Sequence, residues 1–160
     1  MFYKMIENKC KEWYSSDQCT VRNLIEYIEK TGQMRDAQIE AIKVYLFLKI
    51  GCECKPLEFL FRYGCFNSIN LNDIELSTAT REYLEKNPAA TALLEYSHLT
   101  NDKGEQVSEK LEKQIKKDPS SIDYDGFFRT AFYGVSYTDY LFSLPMGAGK
   151  TYLMAAIYLS

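Results

Sequence analysis

Four residues near the end of the chain have types and spacing suited to holding a phosphate: Gly147, Gly149, Lys150 and Thr151, in the run Thr138-Asp-Tyr-Leu-Phe-Ser-Leu-Pro-Met-Gly-Ala-Gly-Lys-Thr151. Glycine has no Cβ, so its backbone can take a positive φ and turn N–H groups inward around phosphate oxygens. The ammonium of Lys150 would then reach the β- and γ-phosphates of a nucleotide, and the Thr151 hydroxyl would bind the Mg²⁺ that bridges them. A loop of this kind needs a strand to deliver it and a helix whose positive N-terminal end completes it. Residues 140–144 are apolar enough for the strand, and the run from Tyr152 to Leu159 suits the helix.

A second stretch, Met34-Arg-Asp-Ala-Gln-Ile-Glu-Ala-Ile42, places Arg35 and Gln38 one helical turn apart. A carboxamide offers a donor and an acceptor side by side, which matches the paired donor and acceptor of an adenine edge. The competing reading is the solvated face of an amphipathic helix, and the stretch alone does not separate the two.

The general phosphate-loop pattern asks for glycine five residues before Gly149, where this chain has Leu144. What remains, Leu144-Pro-Met-Gly-Ala-Gly-Lys-Thr151, resembles the first motif of superfamily 2 helicases and translocases, in which the leading position varies and the G-x-G-K-T core is kept. The stretch 34–42 resembles the R-x-x-Q-x-x-A-[IV] pattern near the start of those helicase cores, particularly the ones related to restriction-enzyme translocating subunits. The resemblance implies ATP and Mg²⁺ as cofactors, with Met146, Gly147, Ala148, Gly149, Lys150 and Thr151 around the phosphates. Lys150 and Thr151 would be the catalytic pair, and Thr151 the contact to nucleotide-bound Mg²⁺. It further implies Gln38 as adenine reader with Arg35 as its support. One departure is distance, since 112 residues separate Gln38 from Lys150 where the family has a few tens. Either residues 51–136 are a helical insertion or the first match is accidental.

Composition bounds the rest. A chain of 160 residues with 46% hydrophobic and 26% charged residues can bury a core without disulfides, and its 13 tyrosines and 9 phenylalanines are large packing groups. No apolar run is long enough to span a bilayer and the N-terminal stretch is too polar for a secretory signal, so no membrane association and a cytoplasmic location are expected. Five cysteines read as reduced thiols. Cys52-x-Cys54, Cys65 and the lone His98 have poor spacing for zinc, and His98 reads as structural. A net charge of −3 gives no global basic field to draw in nucleic acid.

Along the chain, apolar spacing predicts helices over 2–14, 21–31 with Thr20 as cap, 35–50, 57–63 after Pro56, 78–86 with Thr78 as cap, and 88–98. An exposed, mixed-charge helix is expected over 105–117, and a buried aromatic one over 124–133. Residues 65–76 read as loop and 101–104 as a turn.

The expected fold is therefore mainly α. A helical region, 1–136, leads into 137–160, the first strand, phosphate loop and helix of a RecA-like α/β lobe. The whole protein would couple ATP hydrolysis to movement on nucleic acid, DNA ahead of RNA, as in a restriction or phage-defence translocase. No Asp-Glu pair ends a second hydrophobic strand after the loop, so these 160 residues would be inactive alone, reading as a fragment able to self-associate through 137–160. The reading from a different class is a helical module that binds protein or nucleic acid and carries a vestigial phosphate loop.

Overall fold

The computed structural model describes residues 2–101, 103–133 and 149–159. The expected strand at 140–144 and the loop residues Met146, Gly147 and Ala148 lie outside them. The described residues are mainly helical: α1 (Phe2–Ser15), α2 (Arg22–Thr31), α3 (Asp36–Leu46), α4 (Leu57–Arg62), α5 (Thr78–Lys86), α6 (Pro88–His98), α7 (Glu109–Lys117), α8 (Tyr124–Ala131) and α9 (Lys150–Leu159). A π-helical turn, Phe47–Gly51, continues α3, and short 3₁₀ turns occupy Leu71–Asp73 and Pro119–Ser121.

The chain divides into two compact units, Met1–Lys9 with Pro56–Tyr137, and Cys10–Lys55 with Thr138–Ser160. In the first, α6 is the central element. Its sequence PAATALLEYSH is apolar almost all round, and every residue from Ala89 to Glu95 is buried. Pro88 starts it where a missing N–H costs nothing, and the Asn87 side chain accepts from Ala90 N–H. Against it pack α4, α5, α7 and α8. Phe2, Phe61, Tyr96, Phe128 and Phe132 form one aromatic cluster, with the Phe2 ring 4.2 Å from Tyr96 and 4.9 Å from Phe61.

In the second unit α3 is flanked by α2 and α9. Ile39, Ile42, Val44 and Leu46 are its buried apolar residues, joined by Cys10, Trp13, Ile25, Phe47, Leu48 and Leu153. Arg22 reaches back to the carbonyls of Tyr14 and Ser16, where α1 has run out of intrahelical donors.

Several boundaries differ from those expected. Val21, with no side-chain cap, precedes α2, because Thr20 is held in a turn by its N–H bond to Gln18. Ser77 rather than Thr78 caps α5, its hydroxyl accepting from Thr80 N–H at 3.1 Å. The charged helix begins at Glu109, not Glu105. Residues 105–107 instead fold back through an antiparallel bridge between Thr100 and Gln106, and Ser108 caps the helix that follows. The aromatic helix stops at Ala131, and Tyr133 takes a left-handed φ of 59° and is 90% exposed.

Candidate functional site

Gln38 occupies the first turn of α3, and α3 packs against α9. The Gln38 side chain is 3% exposed, so both ends of its amide must find partners inside the protein. Its Oε1 accepts from the backbone N–H of Arg35 at 2.7 Å, which satisfies one of the orphan donors at the helix start. Its Nε2 donates to the carbonyl oxygen of Gly149 at 2.7 Å, across 111 residues of sequence.

Gly149 immediately precedes α9. Its φ is +72°, a region that glycine enters without strain, and a Cβ built there would stand 2.6 Å from Gln38 Nε2. The Gly149 carbonyl also accepts from Leu153 N–H at 3.3 Å, the first bond of the helix, so both of its lone pairs are engaged. Lys150 and Thr151 open α9 and are exposed, while Leu153, two residues further on, is buried at 2% exposure. The two ends of α9's first turn thus do different work: Leu153 anchors the helix and Lys150 and Thr151 face outward.

Of the residues singled out in the sequence, the structure brings Gln38, Gly149, Lys150 and Thr151 into one neighbourhood. Arg35 is exposed and meets Gln38 through its backbone N–H. Comparison with family models, with curated proteins and with solved structures finds no match.

Among the described residues no set of three His, Cys, Asp or Glu side chains is gathered as a metal site. Cys10 is buried, and burial first, then the Glu40 carboxylate, pushes its thiol up to about 12, which removes it as a nucleophile. His98 is held at both nitrogens, Nδ1 at 3.0 Å from the Leu94 carbonyl and Nε2 at 2.9 Å from Glu112. Glu112 also accepts from Lys116 Nζ at 2.6 Å and from the Gln106 amide.

Sequence reasoning passed over one buried carboxylate, Glu95, and one half-buried, Glu112. Glu95 lies inside the apolar run of α6 at 8% exposure, and its Oε2 accepts from Ser68 N–H at 2.8 Å and Ile69 N–H at 3.0 Å. A lone charge in the run ALLEYS was the available signal. Glu112 stood among so many charges on α7 that nothing marked it as the inward-facing one.

Proposed function

We propose that the chain carries the nucleotide-phosphate loop of an ATP-dependent nucleic-acid helicase or translocase of the superfamily 2 type. The observation that supports this best is the hydrogen bond from Gln38 to Gly149. Two short stretches that separately resemble motifs of one enzyme family meet in the folded chain, although the two bonded positions are 111 apart in sequence. Much of the intervening sequence, Pro56–Tyr137, belongs to the other compact unit, which agrees with its being an insertion into the nucleotide-binding part.

The residues present fit a polyphosphate. The first N–H groups of α9 lack intrahelical acceptors and lie at the positive end of a ten-residue helix. Gly149 has the left-handed φ that lets its backbone lie close to a ligand. Lys150 is exposed at the start of this helix, where its ammonium would offset charge on the transferring phosphoryl oxygens, and the hydroxyl of the neighbouring, also exposed Thr151 would bind Mg²⁺. Mg²⁺ would supply charge neutralisation across the β- and γ-phosphates. In this reading the chain binds and orients the phosphates, and the general base and second lobe come from elsewhere in the protein. DNA is the preferred track and the chain's cellular place is the cytoplasm.

Calorimetric titration of the chain with Mg-ATP, beside a Lys150→Ala variant of unchanged circular dichroism, tests the proposal. Binding that the variant loses supports it. Equal binding by both proteins, or none by the wild type, removes the loop from nucleotide chemistry and leaves a helical binding module.

A further inference from the structure

Gln38 has a more specific part in the site than its type alone suggests. Base reading requires a carboxamide to present its donor and acceptor outward to an incoming nucleobase edge. Here the side chain is 3% exposed, its acceptor end is bound to Arg35 N–H, and its donor end is bound to the Gly149 carbonyl. We infer that Gln38 is a positioning residue for the phosphate loop: it fixes the Gly149 carbonyl, and through it the start of α9, rather than selecting the base.

What the loop binds rests on the proposed function, and the hold on the Gly149 carbonyl on geometry. Gly149 sits at a φ of +72° with its carbonyl shared between Leu153 N–H and Gln38 Nε2. The direction of that carbonyl sets the plane of the following peptide, whose N–H belongs to Lys150 and is the first of the orphan donors at the helix start. Rotating the Gly149–Lys150 peptide would swing that N–H away from where a phosphate oxygen would sit. Gln38 opposes the rotation by holding the oxygen from the α3 side. The contact is also close enough that a methyl group on Gly149 would collide with Nε2 at 2.6 Å, so the glycine and the glutamine are fitted to each other. A residue that holds the loop acts on every ligand bound through phosphate, and on each to the same extent.

The test compares wild type, Gln38→Glu and Gln38→Ala. Glutamate keeps an acceptor for Arg35 N–H but turns an oxygen toward the Gly149 carbonyl, so it retains the helix cap and breaks the clasp. Hydrogen exchange at the Leu153 amide, which bonds to the same carbonyl, reads the clasp without any ligand. In Gln38→Glu it should quicken about tenfold while α6 amides hold their wild-type rate, the amount expected for losing one buried hydrogen bond. Unchanged exchange at Leu153 overturns the inference whatever the protein binds.

Titration with Mg-tripolyphosphate, Mg-ATP and Mg-GTP reads the consequence. Both variants should lose affinity for all three by one common factor, also about tenfold, leaving the ratio of ATP to GTP affinity as in wild type. A variant that binds tripolyphosphate as well as wild type but no longer distinguishes ATP from GTP shows Gln38 to be a base reader and overturns the inference. Wild type that binds none of the three, with Leu153 exchange quickened in Gln38→Glu, sinks the nucleotide reading and keeps the clasp.

Discussion

Glu112 offers a test in which the structure sets both magnitude and pH window. Its side chain is 14% exposed and lies against His98, Lys116 and Gln106. Burial pushes its carboxyl up, but the hydrogen bonds from Lys116 and Gln106 and the nearby His98 outweigh burial and hold it at about 2, against an ordinary 4.5. A folded-state value below the unfolded one means the contribution is fully present above pH 4.5 and is lost as pH falls toward about 2. At about 1.4 kcal/mol per tenfold change in proton affinity, the ceiling is about 3 kcal/mol. The His98 and Lys116 side chains each keep 31% exposure, so water screens them, and about 1–2 kcal/mol is the reasonable expectation. Glu112→Gln should therefore unfold in less urea than wild type at pH 7, with the gap closing between pH 4.5 and pH 2.5. Far-UV circular dichroism combined with hydrogen exchange in α6 and α7 is the appropriate readout, because Trp13, the single tryptophan, belongs to the other compact unit. A gap equally wide at pH 7 and pH 2.5 would refute the electrostatic account and leave only packing.

Three further outcomes are expected. Under the proposed function, Lys150→Ala should abolish ATP hydrolysis by the enzyme that carries this chain with no change in the urea midpoint of the helical region, measured by phosphate release and circular dichroism. Glu95→Ala strips the acceptor from Ser68 and Ile69 N–H and should cost about 2–4 kcal/mol by urea titration, whereas Glu95→Gln keeps an oxygen in place and should cost about half as much. A thiol reagent at pH 8 should modify Cys54 and Cys65, which are exposed, within minutes, and reach Cys10, Cys19 and Cys52 only in denaturant. Rapid reaction at all five in the native state contradicts the packing around α1 and α3.

Helices were legible wherever one face was apolar. The runs around Ile25, Ile39 and Leu93 announce themselves by spacing, and Pro88 and Asn87 mark a start that side-chain chemistry enforces. Boundaries were less so, because adjacent hydroxyls compete for one capping position: Ser77 takes the place that Thr78 could have held, and nothing local decides between them. The beginning of α7 was misplaced because residues 105–107 owe their conformation to Thr100 and Leu99, a pairing that helical spacing cannot reveal. At the site, Lys150 and Thr151 could be singled out by residue type, and both stand exposed at the start of α9. The meeting of Gln38 with Gly149 was not legible, since a contact across 111 residues depends on how α9 docks on α3.

The π-helical turn at Phe47–Gly51 bears on how the chain could change length over evolutionary time. Its wider winding, closed by the bond from Cys52 N–H to the Phe47 carbonyl at 2.8 Å, accommodates one residue more than an α-helical turn over the same rise. A deletion within it could relax to ordinary α geometry and leave Gln38 and the buried face of α3 where they are. The same deletion between Gln38 and Leu46 would rotate everything beyond it by about 100° about the helix axis and misalign one end of the buried stripe from the other. What limits the freedom at the π turn is Gly51, where an added Cβ would lie 2.9 Å from Phe47 and 3.0 Å from the Trp13 indole nitrogen. Any shortened lineage would have to bring another glycine to that place, or give up the tryptophan beside it.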